Sequence, residues 1–332
     1  MLSITLLVVV FLALAFDFIN GFHDTANSIA TSVSTRVLTP RMAIIMAAGL
    51  NFVGALMSHN VAKTISKGLV DNTGLANSEY IVIAALLAAI IWNLVTWYFG
   101  IPSSSSHAIV GGLLGSSIAY ASSLDVVIWG GVLNKVILPL LTSPIVGFIL
   151  GFIFMKMLYT LLKKAAPNVI NKYFSKLQII SAAFMSFTHG MNDAQKSMGI
   201  ITFALVGAGL QKNDEIQPWV MILCALAMAL GTSIGGWKII KTMGVNMIRL
   251  QPINGFAAEA GAAIVIGIAS LSGQTVSTTH VISTSIMGVG ASKRISAVRW
   301  ALARNIVWTW VLTIPVTASI GAVVILAIKL FV

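Results

Sequence analysis

Charge is scarce in this chain of 332 residues. Asp, Glu, Lys and Arg together make up 9% of it, against 58% hydrophobic residues, too little polar side chain to cover a separate water-soluble domain. Cysteine is nearly absent: Cys224 is the single one and sits in an apolar run, which excludes a disulfide framework and a thiolate metal cluster. Acids are rarer than bases, 9 against 20. The bases fall in short connections between apolar runs, so their excess reads as the positive-inside bias of a membrane protein and not as a nucleic-acid surface. The zinc-hydrolase pattern H-E-x-x-H is also missing, which removes one class of intramembrane enzyme.

What is present is apolar length. Leu2 to Ile19, Ala43 to Met57, Ile81 to Phe99 and Val126 to Tyr159 approach or exceed the roughly 20 residues that cross a bilayer as a helix. The first run has no charged n-region and leads straight into a polar motif, so it reads as a retained span. Basic residues mark four connections: Arg36 and Arg41; Lys156, Lys163, Lys164, Lys172 and Lys176; Lys238, Lys241 and Arg249; Lys293, Arg294 and Arg299. Placing all four inside the cell puts both termini outside, with five crossings before the basic middle and five after it. The stretch from Asn60 to Ser78, with Lys63, Lys67, Asp71 and Glu79, is then an external loop.

The chain repeats itself. Gly21-Phe22-His23-Asp24-Thr25-Ala26-Asn27 recurs as Gly190-Met191-Asn192-Asp193-Ala194-Gln195-Lys196. His107 recurs as His280, Trp129 as Trp300, Asn134 as Asn305 and Pro144 as Pro315, at offsets of 169 to 173 positions. Blocks in the same order at nearly constant offset indicate duplication. An odd number of crossings per half makes the copies oppositely oriented, the plan of secondary transporters. The expected fold is therefore an all-α polytopic membrane protein of two inverted-topology repeats, with broken helices and re-entrant hairpins and ten to twelve membrane segments. The expected boundaries are 1–159, a basic cytoplasmic connection at 160–176, and 177–332.

Asp24 and Asp193 are ionisable groups among apolar residues, and an acid at membrane depth is a functional site by default. With Asn27 and Asn192 they offer the hard oxygen ligands of a small cation such as sodium. Protonation neutralises them equally well. The second repeated block reads Ser103-Ser104-Ser105-Ser106-His107 in one half and Ser277-Thr278-Thr279-His280 in the other. Hydroxyls at a fresh helix N-terminus suit an oxyanion, although small residues also serve close helix packing. The candidate anion ligands are Ser104, Ser105, Ser106, Gln195, Ser277, Thr278 and Thr279. His107 and His280 are candidates for orienting the hydroxyls or carrying protons. Lys196 stands where the first copy has Asn27, and Glu259 is a further buried acid without a counterpart. No catalytic residue and no cofactor is expected. A Ser-His-Asp hydrolase is the reading of another class, disfavoured because a single catalytic centre has no need of a duplicated set; a passive anion channel is a third.

At these residues the chain resembles the inorganic phosphate transporter (PiT) family, whose signature G-A-N-D-V-A-N occurs in each half and here reads GFHDTAN and GMNDAQK. The likeness runs over essentially the whole chain. It implies secondary transport of inorganic phosphate coupled to sodium or protons, with sulfate as the runner-up anion, an inverted repeat and a homodimer. Compactness and the lack of a targeting segment point to a plasma membrane location. Asp24 and Asp193 match the signature aspartates, Asn27 the last position of the first copy, and Asn192 the asparagine before the second aspartate. His23 replaces that asparagine in the first copy, and Gln195-Lys196 depart from the pattern in the second.

Overall fold

The computed structural model describes residues 4–67, 69–70 and 78–331, apart from the side chains of Lys67 and Ser78. They fold into α1 (Ile4–Ser34), α2 (Pro40–Ala55), α3 (Asn60–Lys67), α4 (Ser78–Phe99), α5 (Ser105–Ala121), α6 (Trp129–Val132) and α7 (Leu138–Leu161), then α8 (Pro167–Asp193), α9 (Gln195–Gly207), α10 (Pro218–Ile234), α11 (Trp237–Lys241), α12 (Pro252–Leu271), α13 (Thr278–Lys293) and α14 (Trp300–Lys329). Helices α2, α8, α10 and α12 each open on a proline, whose fixed φ and missing N–H suit the first helical position. A single π turn, Leu133–Ile137, joins α6 to α7.

The halves have the same order of elements. Helix α1 corresponds to α8 with α9, α4 to α12, α5 to α13, and α6–α7 to α14. The pair α2–α3 bends by 65° and its counterpart α10–α11 by 64°. Among the described residues, five helices are long and apolar enough to cross a membrane alone, and seven segments if each bent pair counts as one. The other three segments are α5, α8–α9 and α13, whose inner faces carry the repeated polar motifs. Each half thus has five segments.

Two hydrophobic clusters occupy opposite ends of the molecule. One contains Leu6, Val9, Ile81, Leu113, Leu205, Val220 and Ile325; the other contains Ala26, Ile29, Phe174, Met247, Ile286 and Ile306. Helix α1 starts in the first and ends in the second, whereas α8–α9 starts in the second and ends in the first, so equivalent helices run in opposite directions. The connections holding Arg36, Lys163, Arg249 and Arg294 lie at the second end, and Ile4 and Lys329 lie at the first.

Where the clusters meet, polar residues take over. Gly100 and Gly273, at φ 67° and 68°, end α4 and α12 in the left-handed region that glycine adopts without a Cβ clash. From each, a short non-helical leg leads inward to the first turn of α5 or α13. Close approach elsewhere also requires glycine: a methyl on Gly190 would overlap the Asn51 carbonyl and one on Gly54 the Phe187 carbonyl, pinning α2 on α8, while Gly231 against Phe18 and Gly21 against Met228 pin α10 on α1. Small residues at crossings let membrane helices pack backbone to backbone.

The first motif lies inside an uninterrupted α1, whereas the second spans a break at Ala194. Two expectations change. The external loop expected at 60–78 contains helix α3, packed against α9; Asp71 lies outside the described residues. The connection expected at 160–176 is 162–166, because Pro167 starts α8 and Lys172 and Lys176 ride on its first turns.

Gly190→Ala is expected to lower the stability of the detergent-solubilised protein by about 1–3 kcal/mol through overpacking. Gly49→Ala adds a methyl that meets nothing within 4 Å and is expected to leave the melting temperature unchanged; thermal unfolding read by size-exclusion chromatography compares them.

Candidate functional site

The site is a closed ring of side chains in which both halves take part. Ser105 Oγ donates to Asp24 Oδ2 at 3.1 Å, and its counterpart Thr278 Oγ1 donates to Asp193 Oδ2 at 3.2 Å. Asn27 Nδ2 donates to Thr278 Oγ1 at 3.2 Å and Thr279 Oγ1 at 2.9 Å; its counterpart Lys196 donates through Nζ to Ser105 Oγ at 3.3 Å and Asp193 Oδ1 at 2.8 Å. Thr279 Oγ1 closes the ring on Asp24 Oδ1 at 3.4 Å. Every donor points along the ring toward a carboxylate, and no member is more than 2% exposed. Two-fold pseudosymmetry is visible in the Ser105–Asp24 and Thr278–Asp193 bonds and in the Asn27–Thr278 and Lys196–Ser105 bonds.

The ring is built by local helix rules. Asp24 and Asn27 are one turn apart on α1, so they share a face. Asp193 and Lys196 have the same spacing across the break at Ala194. The hydroxyls arrive on the first turns of α5 and α13, where Ser104 and Ser277 cap the helices by accepting from the His107 and His280 amides at 3.2 and 3.3 Å. The first amides of each helix, at Ser105, Ser106, Thr278 and Thr279, have no intrahelical partner, and both helices aim this electropositive end at the ring.

Histidines brace the aspartates from behind. His23 Nδ1 is 2.6 Å from Asp24 Oδ1 and its Nε2 3.0 Å from Thr96 Oγ1, which pairs with Ser103 at 2.8 Å. At the position equivalent to His23, Asn192 Nδ2 donates to Ser270 Oγ at 2.9 Å. His189 lies between Asn51 Oδ1 at 3.1 Å and Asp193 Oδ2 at 3.3 Å. Ligand atoms of Asp24, His189 and Asp193 all fall within 4.8 Å of one another. Asn27 Oδ1 and Asn192 Oδ1 are buried acceptors without a donor.

Other candidates have different work. Gln195 accepts from the Val61 and Ala62 amides at 2.8 and 3.1 Å and donates to the Met191 carbonyl; it satisfies the N-terminus of α3 and does not face the ring. Ser106 donates to the Val276 carbonyl at 3.0 Å, tying α5 to the leg before α13. His107 and His280 do not orient the hydroxyls: their rings meet edge to face at 4.6 Å, and His280 stacks on Trp310 at 3.8 Å. They border an apolar cavity of about 580 Å³ that also touches Pro144, Phe148 and Val311 and includes no ring residue. Glu259 accepts from Thr31, Ser181 and Gln178, joining α12 to α1 and α8. Asp17, hidden in the first apolar run, accepts from Ser197 Oγ at 2.7 Å. Thr96, Asn51 and Asp17 carry no motif that marks them in sequence; Asn51 and Asp17 are single polar residues in apolar runs, a signal available before the structure. Gly231-Thr232-Ser233-Ile234-Gly235 has the spacing of a nucleophile elbow, but Ser233 is exposed on α10 and donates to the Ala229 carbonyl at 3.0 Å, so no nucleophile is poised there.

A buried polar ring between two duplicated, apolar helical halves has the character of a membrane transport protein. The comparisons narrow this: the profile of the phosphate transporter family matches residues 20–169 and again 162–321, one match per half. A probable low-affinity inorganic phosphate transporter of Bacillus subtilis is 53% identical over 97% of this chain and 96% of its own length; one of Rhizobium meliloti is 47% identical over 93% and 92%. A solved structure described as the sodium-dependent phosphate transporter superposes with a TM-score of 0.90 at 26% identity, over 99% of this chain and 100% of that one. This chain belongs to the phosphate transporter family.

Because Gln195 holds α3, Gln195→Ala is expected to cost about 1–3 kcal/mol of stability, the penalty for leaving buried amides unpaired, and to leave the phosphate concentration for half-maximal uptake unchanged. A parallel measurement of melting temperature and uptake kinetics checks both.

Proposed function

We propose that this chain imports inorganic phosphate by alternating access, driven by an inward sodium gradient. The observation that carries the reading is the ring with its neighbours: the carboxylates of Asp24 and Asp193 and the unpartnered amide oxygens of Asn27, in the ring, and Asn192, next to Asp193 in the chain, for a cation, beside Ser105, Thr278, Thr279 and two helix N-termini for an oxyanion. An anion does not approach two buried carboxylates unless positive charge accompanies it, so cation and phosphate enter together. Sodium is favoured by the description of the structural relative as sodium-dependent. A carboxylate also accepts the hydrogen bond of a protonated phosphate, which fully ionised sulfate does not offer.

The ring is closed to both ends, so entry and exit require movement of the packed elements around it. The bent pairs α2–α3 and α10–α11 flank α9 and α1 and are placed to act as hinges. The reading carries a plasma membrane location with the basic end in the cytoplasm and both termini outside, and the homodimer that the resemblance implies.

One observation favours protons as the coupling ion: His23 sits 2.6 Å from Asp24 and reaches Thr96 on its other side, a ready relay. Phosphate uptake into proteoliposomes, under a sodium gradient, a proton gradient or neither, separates the readings. Sodium-driven uptake that resists excess sulfate is expected, and uptake driven by protons alone would replace sodium. Asp24→Asn is expected to abolish cation stimulation while the protein still folds. Ser105→Ala and Thr278→Ala are each expected to raise the phosphate KM roughly tenfold, about 1.4 kcal/mol or one hydrogen bond.

A further inference from the structure

The two halves of the ring share two pairs of equivalent contacts but differ in charge. Asp24 and Asp193 occupy equivalent positions and accept from equivalent hydroxyls, Ser105 and Thr278. One turn after each comes the residue that crosses to the other half's hydroxyl, Asn27 to Thr278 and Lys196 to Ser105. Asn27 is neutral, with a free Oδ1 that can ligate a cation. Lys196 brings an ammonium, fully buried and 2.8 Å from Asp193 Oδ1.

The ring therefore holds two carboxylates and one lysine ammonium, and that ammonium is paired with Asp193. Asp24 has no lysine or arginine beside it and meets His23, Ser105 and Thr279 instead. A sodium ion beside Asp193 would need the place that Nζ fills, and like charges at that separation in a dry interior repel strongly.

Resting on the cation-coupled reading above, we propose that Lys196 is a built-in cation that replaces a coupling ion in the second half, so that one mobile cation, held at Asp24 and Asn27, accompanies each phosphate. The same ammonium, 3.3 Å from the Ser105 hydroxyl, gives the anion a permanent positive neighbour that a departing sodium cannot.

The test is the ratio of labelled sodium to labelled phosphate taken up by proteoliposomes of the full-length protein, together with the sodium dependence of the rate. Wild type is expected to give one sodium per phosphate and a Hill coefficient near 1. Lys196→Asn, which copies the first half, is expected to raise both toward 2 and to make the melting temperature rise with sodium, because an uncompensated Asp193 then needs the ion. Lys196→Arg keeps the charge and should keep the wild-type ratio. Two sodium ions per phosphate in wild type would overturn the proposal whether or not the variants fold, and so would an unchanged ratio in a sodium-coupled Lys196→Asn. Uptake that no cation gradient drives would instead bring down the coupled reading itself, and this proposal with it.

Discussion

Two carboxylates sealed from water are the constraint on which this molecule depends. An ion of that size left alone in a low-dielectric interior costs several kcal/mol or more, so each must be surrounded by donors or countercharge. Around Asp24 the donors are His23, Ser105 and Thr279; around Asp193 they are Thr278 and the Lys196 ammonium. Those residues come from α1, α5, α9 and α13, so the chain closes around the acids only when both halves are in place.

Close backbone contact makes this arrangement attainable. Glycines at the α2–α8 and α1–α10 crossings bring helices together without intervening side chains, which holds the motif-bearing helices in register. Two polar legs, released by Gly100 and Gly273 at positive φ, then deliver the first turns of α5 and α13 to the same depth. Non-helical backbone at that depth is tolerated because protein surrounds it. The same geometry that pairs the carboxylates with donors also aims two helix N-termini at the space between them.

Duplication explains the economy of the design, and the departures from it are informative. Equivalent bonds at 3.1 and 3.2 Å, and at 3.2 and 3.3 Å, show that the halves share one scaffold. Where they differ, at His23 against Asn192 and Asn27 against Lys196, one copy carries an amide and the other an imidazole or an ammonium. Glu259 and Asp17 are buried acids outside the ring. Each is held by hydroxyls or an amide from neighbouring helices, and so they tie helices together across the polar layer.

The sequence by itself determined the all-helical membrane class, the repeat and the identity of the acids, because hydrophobic length, scarcity of charge and a motif written twice are local properties that survive without coordinates. It also marked Ser105, Thr278 and Thr279 within their hydroxyl runs, but not which members of each run face the acids. Only the tertiary structure decided that. Ser104 and Ser277 turn back to cap their own helices, Ser106 and Gln195 are taken by backbone groups of neighbouring segments, and the rings of His107 and His280 pack on each other and on Trp310. Residues a few positions apart on a helix point in different directions, and a polar side chain is claimed by whichever unsatisfied group the fold brings within reach. That choice is made by packing between segments far apart in the chain, which no local pattern records.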